Sequence, residues 1–526
     1  MRDKEEAKTA NLEGRAGVQK LGFHWNRERE GNNNDEDVLE GLQPHPRLKI
    51  LEIENFKGEN FPSWILARNN SSGGLFVLEN LLEIHLKGCN KCSKIPTLGY
   101  LPRLKVLKIE EMYNVRCIGT EFYIDYSGER SSNSGGGSGR NVVFPALKKL
   151  SLQQLSNLVE WKDAMELTAI EMVFPCLVEL RIAACGQLTS APCHFPSLKE
   201  LDVSNTNCMA FEGIISKLST LVSLEIFSIP QIVCFPEQLF QNNTSLMSIE
   251  ISDCSNLVSI SPHQYITSLQ SFMIDSCEKL SDSSITWLTL PLLETFLVSN
   301  CPNLRSFPSL QGAGSHLQSL GILCGDEVLS TGLQSCTSLS SLKIDHCPNL
   351  KSILDLRELH SLTHLSIINC QTLNLTCLPE LLACFTSLKS LNTGGFCEEL
   401  DVFPSLGLSS IQHLHTSLET LCLRGWPKLD SLPDEIQHFT ALKSLCILCF
   451  KGLEALPEWL CNLSSIQRLD IVECENLMYL PTLQAMQRLT KLESLTALFC
   501  PKLEERCARG SGAEWSKIAN IPHVTI

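Results

Sequence analysis

Apolar residues recur along this 526-residue chain with a fixed spacing. The segments LSSLKIDHC (residues 339–347) and LTHLSIINC (362–370) share the frame L-x-x-L-x-L-x-x-C, whose positions we number 1 to 9. Positions 4 and 6 are two residues apart, so their side chains point to one face of a short strand and position 5 points to the other. The frame therefore predicts strands that are apolar on one face only.

Eighteen copies of the frame occur, and thirteen of the seventeen intervals between their starts are 21 to 26 residues long. This is the period of leucine-rich repeats. One such strand cannot bury its apolar face alone, but stacked copies form a parallel sheet with a continuous core. We therefore predict an α/β fold, a leucine-rich-repeat solenoid with a concave parallel sheet and a mostly irregular convex side. The copies begin at residues 48, 81, 104, 147, 177, 198, 221, 246, 269, 293, 317, 339, 362, 388, 418, 442, 466 and 492.

The residues that follow each strand predict how the chain leaves the sheet. Position 9 is Cys in nine of the eighteen copies, and we expect it to bond backbone groups left free at the turn. A second apolar anchor follows, often ahead of proline, as in LDSLP (429–433) and LEALP (453–457). Proline lacks an N–H and ends strand pairing, so we expect few long helices, with single helical turns near 235–240 and 378–382.

Two segments interrupt the repeat rhythm. Residues 26–37 are charged and polar, and residues 127–140 are rich in Ser and Gly, which is typical of a flexible excursion. We accordingly predict that residues 1–47 form an N-terminal repeat remnant with a charged loop. Residues 48–526 are predicted to form the solenoid.

Composition and charge narrow the functional classes. A net charge of −15 disfavours nucleic acid as a partner, because binding to it requires a basic surface that displaces counterions from phosphate. No stretch has the roughly 18 apolar residues of a membrane span, and the N-terminal sequence lacks the apolar segment of a signal peptide. We therefore predict a cytoplasmic protein without membrane contact, whose 25 cysteines are reduced thiols.

The sequence carries no recognisable catalytic motif. It has no Gly-Lys dipeptide and hence no P-loop, and no G-x-S-x-G, H-E-x-x-H or protein-kinase signature. Two C-x-x-C pairs, Cys89/Cys92 and Cys446/Cys449, lie too far apart to build one zinc site, so small buried or half-exposed thiols explain them better. We predict a protein that is not an enzyme and has neither a cofactor nor a metal site.

Four stretches of the sequence carry family-specific motifs. The first consists of VLEGLQPHP (38–46), LKILEI (48–53) and GENFPSW (58–64), and the second is LGYLPRLKVL (98–107). The third consists of GTEFY (119–123), FPALK (144–148) and LVEW (158–161), and the fourth of CPKL (500–503), EW (514–515) and IANIP (518–522). Together they resemble the repeat region of plant coiled-coil nucleotide-binding leucine-rich-repeat resistance proteins.

The resemblance implies a protein-recognition module of plant innate immunity, which senses pathogen effectors or guards a host protein. In that family the repeats follow a nucleotide-binding domain, whereas this sequence begins within the repeats, so nucleotide binding is not carried over. A nucleotide-binding domain, in cis or in trans, is a further candidate partner. An alternative is a substrate-recruiting leucine-rich-repeat subunit of an F-box-type ubiquitin ligase, although the first 47 residues are charged and loop-like rather than F-box-like.

The candidate binding residues are polar side chains predicted to point outward from the strands of the C-terminal half. Such residues do not touch the core, so they can contact a partner without disturbing the packing of the repeats. The candidates for protein binding are Lys343, Asp345, His346, His364, Asn369, Arg424, Arg468, Asp470 and Glu473.

Overall fold

A computed structural model of the chain contains two compact units, Met1–Ile266 and Thr267–Ile526. The described residues are 3–28, 34–66, 78–124, 142–164, 170–260, 266–281, 290–304, 316–323, 333, 336–351, 353–373, 378–396, 403 and 411–526. The Ser/Gly-rich segment 127–140 lies outside these residues. The sequence-based division at residue 47 stays a prediction.

The first unit has a main sheet of nine parallel strands, each in register with the next. From β2 onward, the residues at positions 4 and 6 are buried in every strand of this sheet. Two further pairs, β5–β8 and β6–β9, lie outside the main sheet. The strands are β1 Lys20–His24, β2 Ile50–Glu54, β3 Glu83–Lys87, β4 Val106–Glu110, β5 Cys117–Ile118, β6 Val142–Val143, β7 Lys149–Gln153, β8 Glu160–Trp161, β9 Met172–Val173, β10 Glu179–Ala183, β11 Glu200–Ser204, β12 Ser223–Phe227 and β13 Ser248–Ser252.

The second unit repeats this arrangement with eleven parallel strands, of which the first ten follow the repeat frame. Positions 4 and 6 are again buried, which confirms the leucine-rich-repeat fold predicted from the spacing. The strands are β14 Ser271–Asp275, β15 Thr295–Ser299, β16 Ser319–Leu323, β17 Ser341–Asp345, β18 His364–Ile368, β19 Ser390–Gly394, β20 Thr420–Arg424, β21 Ser444–Leu448, β22 Arg468–Val472, β23 Ser494–Leu498 and β24 His523–Thr525.

The segments between strands are mostly irregular, as predicted, with short helices at intervals. Helical turns form at both predicted places, and Pro433 and Pro457 directly precede two 3-10 turns. The α-helices are Lys4–Lys8, Asp35–Gly41, Ser63–Leu66, Cys208–Ile215, Glu237–Asn242, Leu378–Cys384, Leu414–Ser417, Leu483–Met486, Pro501–Arg506 and Trp515–Ile518. The 3-10 helices are Thr120–Phe122, Leu354–Glu358, Asp434–His438 and Glu458–Asn462.

The cysteines at position 9 bond backbone carbonyls, as the sequence predicts. The Cys347 thiol donates to the carbonyls of Asp345 (3.5 Å) and Ile322 (3.9 Å), which belong to its own strand and to the strand before it. Cys89, Cys185, Cys474 and Cys500 repeat this pattern. A small buried side chain with a weak donor thus satisfies carbonyls at the end of the sheet.

Position 8 has a left-handed backbone, which the apolar spacing did not predict. Among the repeats whose position 8 is described, φ at this position is positive in all but the one that begins at Leu418, from 47° at Asn205 to 66° at Gly88. The N–H of this residue donates to position 7 of the next repeat, as from His346 to Ile368 (3.2 Å). The left-handed residue therefore adds one hydrogen bond to the ladder and turns the chain inward for position 9.

The N-terminal motif joins its own parts together. The indole N–H of Trp64 donates to the carbonyl of Leu39 (3.0 Å), and both residues are buried. The carboxylate of Glu36 accepts from the backbone N–H of Glu59 (2.6 Å) and of Asn60 (3.0 Å). These bonds tie the helix of the motif to the loop of the following repeat, so these motif residues specify packing.

The third motif forms an aromatic stack inside the first unit. The rings of Phe144 and Phe174 are stacked at 5.1 Å, and those of Phe174 and Phe195 at 5.7 Å. Trp161 donates a 2.8 Å hydrogen bond to the hydroxyl of Tyr123, and both side chains are buried. These aromatic residues therefore build the core and do not form an exposed site.

The closing motif folds over the last strands around a buried carboxylate. Glu514 is 4% exposed, accepts from the backbone N–H of Leu480 (2.9 Å) and pairs with the ammonium of Lys517 (2.6 Å). The guanidinium of Arg506 lies 3.6 Å from the second carboxylate oxygen and stacks over the ring of Tyr479. This cluster closes the apolar core at the C-terminal end.

Candidate protein-recognition face

The outward face of the strands in the second unit is formed by positions 3, 5 and 7. We define the recognition face as these positions in β17 to β22. Its residues are Ser341, Lys343 and Asp345; His364, Ser366 and Ile368; Ser390, Asn392 and Gly394; Thr420, Cys422 and Arg424; Ser444, Cys446 and Leu448; and Arg468, Asp470 and Val472. A regular parallel sheet holds these side chains at fixed spacing.

The position-5 row of this face contains half-buried residues with buried polar atoms. The Ser366 hydroxyl, the side-chain amide oxygen of Asn392 and one carboxylate oxygen of Asp470 have no hydrogen-bond partner among the described residues. Buried polar atoms in proteins almost always have such partners, and leaving one unpaired costs about 1–3 kcal/mol. The row therefore contains buried polar atoms that no other described group of the chain satisfies.

Five of the candidate residues point outward from strands, as the frame predicts. Lys343, His364 and Arg468 are exposed, and Arg424 and Asp470 are half-buried. Arg468 and Asp470 form an ion pair through Nε and Oδ2 at 2.7 Å, which leaves the other oxygen of Asp470 unpaired. Both signs of charge are therefore present on the face.

The description of His346, Asn369 and Glu473 as strand residues is wrong. All three occupy position 8, after the strand has ended, and their φ values are 52°, 56° and 57°. The reason is the backbone turn at this position, which the period of the apolar residues does not reveal. Their side chains lie at the edge of the recognition face.

Asp345 is on the face by position but is largely covered, at 9% exposure. Its Oδ1 lies 2.6 Å from Nδ1 of His346 and accepts a 3.0 Å hydrogen bond from the amide of Asn369. The same amide lies 3.3 Å from the His346 ring nitrogen. Asp345 therefore holds two neighbouring turns together, and its carboxylate is less available to a partner than the sequence suggested.

Glu473 is engaged with a neighbouring thiol. The thiol of Cys449, at position 8 of the preceding repeat, donates to Oε2 of Glu473 at 3.0 Å. Burial and this carboxylate raise the pKa of Cys449 to about 11, so the thiol stays protonated at neutral pH. Glu473 nonetheless remains exposed and accessible.

Cys446 is paired with Cys422 rather than with Cys449. Cys422 and Cys446 are in-register neighbours at position 5 of adjacent strands, so their thiols share the outward face. Sequence reasoning missed this pair because it compared residues three apart, whereas strand neighbours here are 24 residues apart. Aligning the copies and comparing their position-5 letters would have found it.

Cys89 and Cys92 are both buried, as expected of structural thiols. Burial raises the pKa of Cys89 to about 12. The described part of the chain contains no group of three or more His, Cys, Asp and Glu side chains placed to hold a metal ion. In that same part, no helix has the length and apolar character needed to cross a membrane.

The first unit carries an acidic row that the sequence analysis did not single out. Asp202, Glu225 and Glu250 are in-register neighbours at position 5 of β11 to β13. Burial, together with the adjacent carboxylates, raises the pKa of Glu225, and burial also raises that of Asp202 despite an ion pair with Arg181 at 3.0 Å. The outward faces of the two units therefore differ in charge.

An apolar edge flanks the recognition face at β23. Leu498 is 41% exposed and Phe499 70% exposed, at positions 7 and 8 of the last full repeat. Leu448 and Val472 occupy position 7 of the two preceding strands. The repeat frame does not predict this edge, because an apolar residue in a repeat is expected to belong to the core.

This is the fold of a leucine-rich-repeat protein, with repeated parallel strands, left-handed turns and rows of outward polar residues. A crystal structure of a TLR13–ssRNA13 complex shares the fold, with a TM-score of 0.53 and 19% sequence identity over 92% of this chain and 63% of that one. Residues 1–112 and 428–496 match the family of R13L1/DRL21 leucine-rich repeats.

The chain is a relative of plant disease resistance proteins. The putative disease resistance protein RGA4 of Solanum bulbocastanum is 35% identical over 245 residues, which are 45% of this chain and 22% of the relative. The putative disease resistance RPP13-like protein 1 of Arabidopsis thaliana is 28% identical over 330 residues, or 60% of this chain and 27% of the relative. The matched part thus spans about a quarter of these relatives.

Proposed function

We propose that this chain is a protein-recognition module in plant innate immunity, which binds a pathogen effector or a guarded host protein and catalyses no reaction. The observation that carries the proposal is the outward face of β17 to β22, where the side chains of Lys343, Arg424 and Arg468 stand clear of the buried positions 4 and 6. A partner can contact these side chains without disturbing the packing of the repeats.

The charges on the face favour a protein partner. Lys343, Arg424 and Arg468 supply cations, and Asp470 supplies an anion beside Arg468 on the same strand. Charges of both signs suit a protein surface with its own mixed charges, and they do not form the continuous basic track that phosphate requires. The sheet beneath them is rigid, so little conformational entropy is lost on binding.

The state of the thiols supports the predicted cytoplasmic location. None of the 22 cysteines in the described part of the chain forms a disulfide, although several lie beside one another in the core. Disulfides form and persist in oxidising compartments and are rare in the cytosol. The cytoplasmic location therefore belongs to the proposal.

The proposal is tested with a triple variant, Arg424→Ala, Arg468→Ala and Asp470→Ala. A matched control replaces two exposed bases and one exposed acid outside the strands, Lys491, Arg509 and Asp430. Each chain is fused to a biotin ligase and expressed in plant leaf cells, and labelled proteins are quantified by mass spectrometry. We expect a small set of proteins to be labelled by the parent and the control but not by the triple variant.

Circular dichroism of the purified proteins establishes that all three chains fold. A partner found in this way should bind the triple variant at least about tenfold more weakly in calorimetry, because buried charged contacts act as hot spots. Identical labelling by the triple variant and the parent would remove the face from the proposal. Labelling of a ubiquitin-ligase scaffold that survives in the triple variant would support the F-box alternative instead.

A contact with a nucleotide-binding domain is tested separately, since the chain matches only part of its relatives. The chain is co-expressed in leaf cells with the nucleotide-binding domain of a plant coiled-coil nucleotide-binding leucine-rich-repeat resistance protein. Cell death, or co-purification of the two parts, is the expected result. If both chains are well expressed and neither result is seen, the contact with a nucleotide-binding domain is removed and only the recognition of a partner protein remains proposed.

A further inference from the structure

Two thiols stand side by side on the outward face of the second unit. Cys422 and Cys446 occupy position 5 of β20 and β21 and are paired in register. Both are half-buried, neither is in a disulfide, and their side chains extend from the same face of adjacent strands. Paired strands lie about 4.8 Å apart, which is within the Cα separation that a disulfide requires.

We propose that Cys422 and Cys446 are a peroxide-sensitive dithiol that closes to a reversible disulfide. The Cys446 thiolate attacks one oxygen of hydrogen peroxide, so an S–O bond forms, the O–O bond breaks and, after protonation, water leaves. The Cys422 sulfur then attacks the sulfenic acid, the S–S bond forms, and the hydroxyl leaves as water with the Cys422 proton. In total, two thiols lose two electrons and peroxide is reduced to two molecules of water.

The surroundings of the pair determine which thiol reacts first. The neighbouring thiol of Cys422 lowers the pKa of Cys446, whereas the Cys446 thiol, together with burial, raises the pKa of Cys422. The carboxylate of Asp470 opposes the Cys446 thiolate, and the guanidinium of Arg468 favours it. Since the thiolate is the nucleophile, Cys446 is the attacking residue and Cys422 the resolving residue.

The other cysteine pairs of the second unit are placed differently. Cys347 and Cys370 are also in contact, but they occupy position 9, with exposures of 3% and 0%. Cys474 and Cys500 are likewise in contact and fully buried. Peroxide reaches these sulfur atoms only if the repeats separate. The core pairs are therefore an internal control for reactivity at the outward face.

On the recognition face, Arg424 lies two residues beyond Cys422 on β20, and Asp470 is the in-register neighbour of Cys446 on β22. A disulfide there removes both S–H donors and draws the two sulfur atoms together, so it alters the surface presented to a partner. This consequence rests on the proposed function, whereas formation of the disulfide does not. A disulfide that forms without changing partner binding would therefore contradict the effect on binding, but it would still support the proposal that the two thiols form a disulfide.

The experiment treats the folded, reduced full chain with hydrogen peroxide and then alkylates it under unfolding conditions. Peptide mass spectrometry should find Cys422 linked to Cys446, and dithiothreitol should reverse the link. With time in peroxide, the fraction of thiol that can still be alkylated should fall at least about tenfold faster at the outward pair than at Cys347 and Cys370. Reactivity toward peroxide follows thiolate character and access. Equal rates of oxidation for the two pairs, or outward thiols that can still be fully alkylated after peroxide treatment, would overturn the proposal.

Single variants distinguish the roles within the pair. Cys422→Ser should leave Cys446 as a sulfenic acid that dimedone captures, whereas Cys446→Ser should leave Cys422 unreactive. Cys449→Ser is the matched control, since Cys449 lies in the same tryptic peptide as Cys446, and the disulfide should form unchanged. Loss of the disulfide in Cys449→Ser, or dimedone capture on Cys422 in Cys446→Ser, would contradict the assignment.

Discussion

The hydroxyl of Tyr123 accepts a 2.8 Å hydrogen bond from the indole of Trp161 and donates a 2.9 Å bond to the carbonyl of Lys162. Both ring systems are buried. The two residues lie 38 positions apart, on either side of segment 127–140, and belong to the same family-specific motif. One hydroxyl therefore joins the two sides of the longest interval between repeats.

Tyr123→Phe should destabilise the first unit by about 1–3 kcal/mol, because the buried indole N–H of Trp161 and the carbonyl of Lys162 lose their partner. The measurement is urea unfolding followed by circular dichroism. Tyr113→Phe is the control, since Tyr113 makes its hydrogen bonds through the backbone in the described chain. Equal midpoints for the two variants would show that the Tyr123 hydroxyl contributes nothing.

Leu342→Asp should destabilise the second unit by about 3–5 kcal/mol, because an unpaired carboxylate would be buried between stacked repeats. Leu342 is 1% exposed, and its neighbour Lys343 points outward. Lys343→Asp introduces the same group one residue away and should change stability little. Limited proteolysis should cut Leu342→Asp within the second unit. A digestion pattern like that of the parent would mean that the register of this repeat is wrong.

Ala184→Val and Ala183→Val should have opposite effects, although the residues are adjacent. Ala184 occupies position 8 with φ of 53°, where a β-branched side chain is strained by about 1–3 kcal/mol. Ala183 ends strand β10 at an outward position, where valine is favoured. Thermal unfolding of the two variants makes the comparison. A lower midpoint for Ala183→Val than for Ala184→Val would contradict the left-handed turn.

Glu514→Ala should destabilise the C-terminal cap by about 3–5 kcal/mol, since it leaves the Lys517 ammonium without its buried partner. Lys517 is 19% exposed, and the N–H of Leu480 would also be unpaired. Glu475→Ala is the control, because the ion pair of Glu475 with Lys451 is exposed and such pairs contribute about 1 kcal/mol or less. Hydrogen exchange of β22 and β23 measures the effect locally. Similar protection in both variants would refute the role of the cap.

Much of the fold follows from local spacing. Leu342 and Ile344 are two residues apart, and that interval alone places both on the buried face. Cys347 could be assigned to the turn because cysteine occupies position 9 in half of the copies. The outward direction of Lys343 and Arg468 follows from the same alternation, and the structure agrees in each case.

Other features of the site depend on contacts between repeats, which spacing within one repeat does not contain. Asp345 was predicted to be available, but His346 and Asn369 cover it after the chain turns through left-handed residues. The sequence does not predict the left-handed turn, because position 8 holds residues that range from glycine to phenylalanine and share no side-chain type. Hydrogen bonding to the next repeat stabilises this conformation and outweighs the local preference of each residue.

The sequence by itself determined the repeat, the buried positions and the outward row, because these depend only on the period of two in a strand and on the length of each copy. Tertiary structure alone decided that Cys422 meets Cys446, that Trp161 meets Tyr123 and that Glu514 is buried. Each of these contacts joins segments whose distance in the chain varies with the loops between them. Stacking brings such segments together, and the pattern within one copy cannot specify which side chains then touch.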